Sequence, residues 1–115
     1  SYTKFRYKSK GVNVEQDTVK VSFEVSNTGK YDGDEVAQVY VKYPETGTYM
    51  PLKQLHGFKR VHIKKGKTSK VTVGTEEGLR YWDEQERKFV TPKGEYTFMV
   101  GASSEDIKFR ETVGL

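Results

Sequence analysis

Cysteine is absent from the chain, which removes disulfides, thiol catalysis and thiolate metal sites together while leaving the redox compartment open. No run of apolar residues is long enough to cross a bilayer as a helix, so no membrane partner is expected. No charged-then-apolar leader starts at Ser1, so no signal peptide is expected in this stretch. Amphipathic helical periodicity of useful length is also missing. What the chain does have is aromatics: eight Tyr, six Phe and Trp82, 13% of its residues against a modest hydrophobic fraction of 34%. Disordered chains are poor in such residues, so this one is expected to fold. Its 115 residues suit one domain, and a chain of that size buries roughly two-thirds of its unfolded surface.

The formal net charge is +4, from 20 basic and 16 acidic residues. Lysines gather over Lys4–Lys10 and Lys59–Lys70. A patch for phosphate or anionic polysaccharide is one use of such charge. Solvated strand faces and a Lys-rich hairpin are the other, and lysine also protects sheet edges from unwanted pairing. Abundant acids favour the second, so no nucleic-acid partner is expected.

Period-two alternation dominates, the mark of strands with one buried face. Over Thr18–Asn27, Val19, Val21, Phe23 and Val25 alternate with Lys20, Ser22, Glu24 and Ser26. Asn27-Thr28-Gly29-Lys30 supplies a turn, and Glu35–Tyr43 follows with Ala37, Val39, Val41 and Tyr43 in phase. Val36 and Tyr40 fall on its other face, which predicts a central strand partly covered on both sides. Between Leu52 and Ile63 the phase slips beside Gly57, predicting a bulge. Lys65-Gly66-Lys67 turns into Ser69–Thr75, and Glu76-Glu77-Gly78-Leu79 suits one helical turn. Arg80-Tyr81-Trp82 and Lys88-Phe89-Val90 pattern as a hairpin across Asp83–Glu86. The remaining strands are Glu95–Val100 and Ile107–Leu115, joined by a polar turn over Gly101–Asp106. The first segment, Tyr2–Val14, changes phase at Gly11 and is expected to kink or switch sheets. About seven to eight short antiparallel strands indicate a sandwich or a barrel. Tyr96, just after Pro92-Lys93-Gly94, has the position of the tyrosine corner of immunoglobulin-like sandwiches, which favours the sandwich.

Three ordered segments carry a resemblance. They are Asn27-Thr28-Gly29 with Gly33-Asp34-Glu35-Val36-Ala37-Gln38-Val39-Tyr40-Val41; Pro51-Leu52-Lys53-Gln54-Leu55-His56-Gly57-Phe58-Lys59-Arg60-Val61; and Tyr81-Trp82-Asp83 followed by Pro92–Gly101 and Ser103–Ile107. In this order and spacing, residues 1–115 resemble the fibronectin type III-like domain that closes many glycoside hydrolase family 3 enzymes. The resemblance implies an all-β immunoglobulin/fibronectin III-like sandwich and a parent enzyme of β-glucosidase or β-xylosidase type. It implies a non-catalytic accessory role, with the parent's catalytic domains as partners and a periplasmic or extracellular setting. The family's catalytic residues lie on other domains and none of their motifs has a counterpart here. A departure is Val73-Gly74-Thr75, where the family often carries a larger apolar residue; by phase Gly74 points outward.

The candidate chemistry is thin. Glycoside hydrolysis needs two carboxyl groups roughly 5–10 Å apart, one often with a raised pKa. The acids Asp32, Asp34, Glu35, Glu76, Glu77, Asp83, Glu84, Glu86, Glu105 and Asp106 all fall in predicted turns, where they stay solvated. His56 and His62 are expected at the surface, and no third ligand completes a metal site. Asp32-Gly33-Asp34-Glu35 is oxygen-rich but lacks EF-hand spacing. No cofactor is expected. Trp82 with Tyr81, or Tyr49, would suit a weak sugar-stacking platform, the rival function being a carbohydrate-binding module. As the lone Trp of a sandwich, Trp82 is instead expected in the core or in inter-domain packing, and Tyr96 at the tyrosine corner. Tyr49, Met50, Pro51 and Leu52, four apolar residues in succession in one loop, are the expected inter-domain docking surface.

Overall fold

A computed structural model of the chain describes residues 4–15, 18–44, 54–75 and 79–115. Nine strands run through it: β1 (Phe5–Glu15), β2 (Thr18–Asn27), β3 (Gly33–Lys42), β4 (Gln54–Ile63), β5 (Thr68–Thr75), β6 (Tyr81–Asp83), β7 (Lys88–Val90), β8 (Glu95–Ser103) and β9 (Asp106–Gly114). They form a three-stranded sheet in the order β1-β2-β5, a four-stranded sheet in the order β4-β3-β8-β9, and the separate hairpin β6-β7. Every pairing is antiparallel. No helix occurs among the described residues.

The core follows from the alternation. Val19, Val21, Phe23 and Val25 of β2 and Val71 and Val73 of β5 face Ala37, Val39 and Val41 of β3 and Tyr96, Phe98 and Val100 of β8, all of them buried. Phe23 is sandwiched near its centre, stacked on Tyr7 at 5.8 Å and edge-on to Phe109 at 5.9 Å. Each such side chain contributes about 1.5–3 kcal/mol by leaving water.

Bulges in β1 and β4 adjust the phase. In β1 the register steps from Ser9 to Gly11, and Gly11 takes φ 107°, a value that favours glycine. The phase change at Gly11 is therefore a bulge inside one strand that stays paired with β2 throughout, not a switch between sheets. In β4 the register steps from Gly57 to Leu55 opposite Val39 and Tyr40, which leaves His56 as the extra residue. Gly57 passes so close to the facing sheet that a Cβ there would lie 2.8 Å from Val73 Cγ1.

Three expectations need adjusting. The predicted turn over Gly101–Asp106 is shorter, because β8 runs on to Ser103 and β9 begins at Asp106. Asp34 and Glu35 stand in β3, Asp83 ends β6 and Asp106 begins β9, none of them in a turn. The proposed helical turn over residues 76–79 falls largely outside the described residues.

Candidate functional site

Aromatic side chains gather where β3 ends and β8 begins. Tyr43 lies edge-on to Tyr96 at 5.2 Å and to Tyr81 at 6.1 Å. Tyr96 is wholly buried, and its hydroxyl donates to the Pro92 carbonyl at 2.5 Å. That is the geometry of a tyrosine corner: a hydroxyl tied to the main chain a few residues upstream at the turn into a strand. Burial pushes the Tyr96 hydroxyl up to about 12, with the neighbouring Tyr43 and Tyr81 phenols adding to the effect, so it remains a donor. Burial likewise pushes Tyr43 upward, helped by Tyr81. Gly94 N–H and carbonyl pair with Leu115 on either side of this corner, at 3.0 and 2.8 Å. The result anchors the hairpin's base and the chain's last strand in one place.

Trp82 is not in the core. It projects from β6 with 45% of its surface exposed and meets Phe89 of β7, itself 62% exposed, edge-on at 5.2 Å and 75°. Arg80 lies over the Phe89 ring at 5.8 Å. The expectation rested on size, but the strand is three residues long and separate from both sheets. Tyr81, its neighbour, takes the inward place beside Tyr43 instead. The hairpin tip is organised by Asp83, whose Oδ1 accepts from Gln85 and Glu86 N–H at 2.9 and 3.1 Å. Tyr49, Met50, Pro51 and Leu52 lie outside the described residues.

The acids show structural geometry. Asp34 accepts from Arg60 at 3.0 Å and contacts His62 Nδ1 at 2.6 Å. His62, with Arg60 behind it, holds the Asp34 carboxyl below its ordinary value, opposite to what a proton-donating acid requires. Glu35 accepts from the Tyr7 hydroxyl at 3.0 Å, and burial, with Glu35 beside it, pushes that phenol upward. His62 is exposed as expected; His56 is half-buried. The bulge turns the His56 ring between the sheets, edge-on to Phe98 at 5.9 Å, with Nε2 buried and without a partner among the described residues. Burial pushes His56 below its ordinary value, while a hydrogen bond to the Val19 main chain opposes this. No group of three or more His, Asp or Glu side chains suited to a metal occurs among the described residues. The periodicity could have found His56 only by counting the phase slip at Gly57 through to position 56.

A profile described as the fibronectin type III-like domain matches residues 35–104. The probable beta-glucosidase D of Emericella nidulans is 44% identical over 94 residues, covering 80% of this chain and 12% of that protein. A beta-glucosidase of Kluyveromyces marxianus is 36% identical over 110 residues, covering 93% of this chain and 13% of that one. The crystal structure of beta-glucosidase from K. marxianus in complex with glucose superposes with a TM-score of 0.90 at 32% identity, over 99% of this chain and 14% of its own. That of the Bifidobacterium adolescentis GH3 beta-glucosidase gives 0.88 at 34% identity, over 99% and 17%. The chain thus spans only 12–13% of the length of these two curated relatives.

Proposed function

The chain belongs to the fibronectin type III-like domain family, and from that premise we propose that it is a non-catalytic accessory domain of a β-glucosidase-type glycoside hydrolase, packing on the catalytic domains of the same polypeptide and stabilising them. The observation that carries this is a fold match along 99% of this chain to 14–17% of two beta-glucosidases. The chemistry of the chain agrees. Among the described residues the one carboxyl with a resolved shift, Asp34, is pushed down by His62 and Arg60, so it lacks the proton that a general acid must carry. The partners are the catalytic domains, and the sugar is theirs to select. Trp82 and Phe89 meet edge-on at 75°, so they do not form a shared flat surface for a sugar ring.

Deleting residues 1–115 from the longer polypeptide tests the proposal. A stabilising accessory domain predicts an unfolding temperature lower by several degrees and faster thermal loss of aryl-glucoside hydrolysis. An unchanged unfolding temperature and half-life would sink it. Measurable hydrolysis by the 115-residue chain alone, lost on changing one of its acids to Ala, would sink it as well.

A further inference from the structure

The two sheets differ on the faces turned away from the core. On the three-stranded sheet that face is polar: Lys20, Ser22, Glu24 and Ser26 of β2 lie beside Lys70, Thr72 and Thr68 of β5. Ser22–Thr72 and Ser26–Thr68 hydroxyl pairs close across the strands at 3.2 and 2.7 Å. On the four-stranded sheet the register sets Leu55 of β4, Tyr40 of β3 and Met99 of β8 in one row. Phe58 lies opposite Gln38 in the next row, and Val36 opposite Arg60 beyond it. Leu55 is 53% exposed and Phe58 64%, although both stand within β4, on either side of its bulge. Water-facing strand positions ordinarily carry polar side chains, as the other sheet shows. Among the described residues β4 is also an edge strand, with no strand paired along its outer side.

We propose that this outer face of the four-stranded sheet, with Leu55 and Phe58 as anchors, is where the chain docks on the neighbouring domain of its own polypeptide. The inference deepens the accessory-domain reading and rests on it. Two features choose the occupant. The first is the length outside the chain: 86% of the K. marxianus structure lies beyond the part this chain matches. A covalently attached domain acts at millimolar effective concentration, so a small anchor patch is enough. A free dimer needs about 800 Å² per partner with a central cluster of anchors, and two strongly exposed side chains do not make one. The second is charge. Lys42 of β3 and Arg110 of β9 border the apolar row and have no ion-pair partner among the described residues. Two copies meeting face to face would bring these cations together, whereas a domain with an apolar knob and an acidic rim would satisfy them.

Hydroxyl-radical footprinting of the 115-residue chain and of the longer polypeptide that contains it, at several concentrations, separates the possibilities. Docking predicts roughly fivefold slower modification of Leu55 and Phe58 in the longer polypeptide, as expected for fully covered anchors, independent of concentration. Protection confined to other residues, such as Trp82 and Phe89, would overturn the choice of face and leave the accessory role standing. No protection anywhere on the chain would overturn both. Protection that grows with concentration in the chain alone would mean a second copy as occupant and would overturn the proposal too.

Discussion

Asn27 is a buried polar core residue, 1% exposed, and its removal should be costly. Its Nδ2 donates to the Ile63 carbonyl and to the Tyr31 carbonyl, both at 2.8 Å, and its Oδ1 accepts from Gly29 N–H at 2.9 Å. The side chain thus joins the end of β2 to the turn that follows and to the last residue of β4, in the opposite sheet. Truncation to Ala removes all three hydrogen bonds. A buried group left without its partner costs about 1–3 kcal/mol. Here the Ile63 carbonyl bears that cost, while the Tyr31 and Gly29 groups are partly reached by water. The sum expected for Asn27→Ala is about 2–4 kcal/mol. Asn27→Asp keeps the acceptor for Gly29 but points an anion at two carbonyl oxygens, so at neutral pH it should cost more than Ala. Its folded carboxyl pKa would then be raised above the unfolded value. Protons would bind the folded state more strongly, and the lost stability should return as pH falls through the folded pKa. Urea unfolding followed by far-UV circular dichroism at pH 7 and in mild acid measures both variants. An Ala variant within about 1 kcal/mol of the parent, or an Asp variant with no recovery in acid, would refute the reasoning.

Other consequences are as direct. A Cβ at Gly101 would lie 2.0 Å from the Asp106 carbonyl oxygen and 2.8 Å from Ile107 Cα, so Gly101→Ala should cost at least the 1–3 kcal/mol typical of overpacking and open the β8-β9 pairing in hydrogen exchange. Burial lowers His56 from its ordinary 6.5, so the unfolded chain holds more protons below that value; this contribution to stability is complete above it and is lost as pH falls through it. His56→Gln should flatten the stability profile over that window, which pH-dependent urea titration reads. Trp82→Ala should cost well under the roughly 3–5 kcal/mol of a core tryptophan, and titration with soluble cellulose or xylan fragments should leave Trp82 fluorescence without a saturable change.

Most of the fold was legible because burial on one face writes itself as alternation. β2 is the clearest case, from Val19 to Val25, and the hairpin at Tyr81–Val90 was equally plain. Val36 and Tyr40, off phase in β3, already pointed to cover on that strand's second face, and Tyr40 stands in the row that Leu55 and Met99 complete. The core placement of Trp82 and the placements of His56 and of Asp34 with Glu35 failed for physical reasons. Trp82 was assigned by size, but a three-residue strand has too few positions to say which face turns inward, and Tyr81 took that place. His56 was assigned by ordinary histidine exposure, but the bulge gave it the inward direction. Asp34 was assigned to a turn by its acidic, Gly-containing surroundings, although cross-strand pairing with Arg60 and His62 holds it in β3. The row formed by Leu55, Tyr40 and Met99, with Phe58 beside it, depends on registers between three strands, which no single stretch of sequence displays.

Calorimetry on the 115-residue chain and on the longer polypeptide that carries it tests the central claim most directly. The account predicts that the chain's own transition disappears from the longer polypeptide and merges, at higher temperature, with the unfolding of the catalytic domains. A separate transition at the temperature of the isolated chain would contradict it, because a domain that unfolds alone neither packs on its neighbours nor stabilises them.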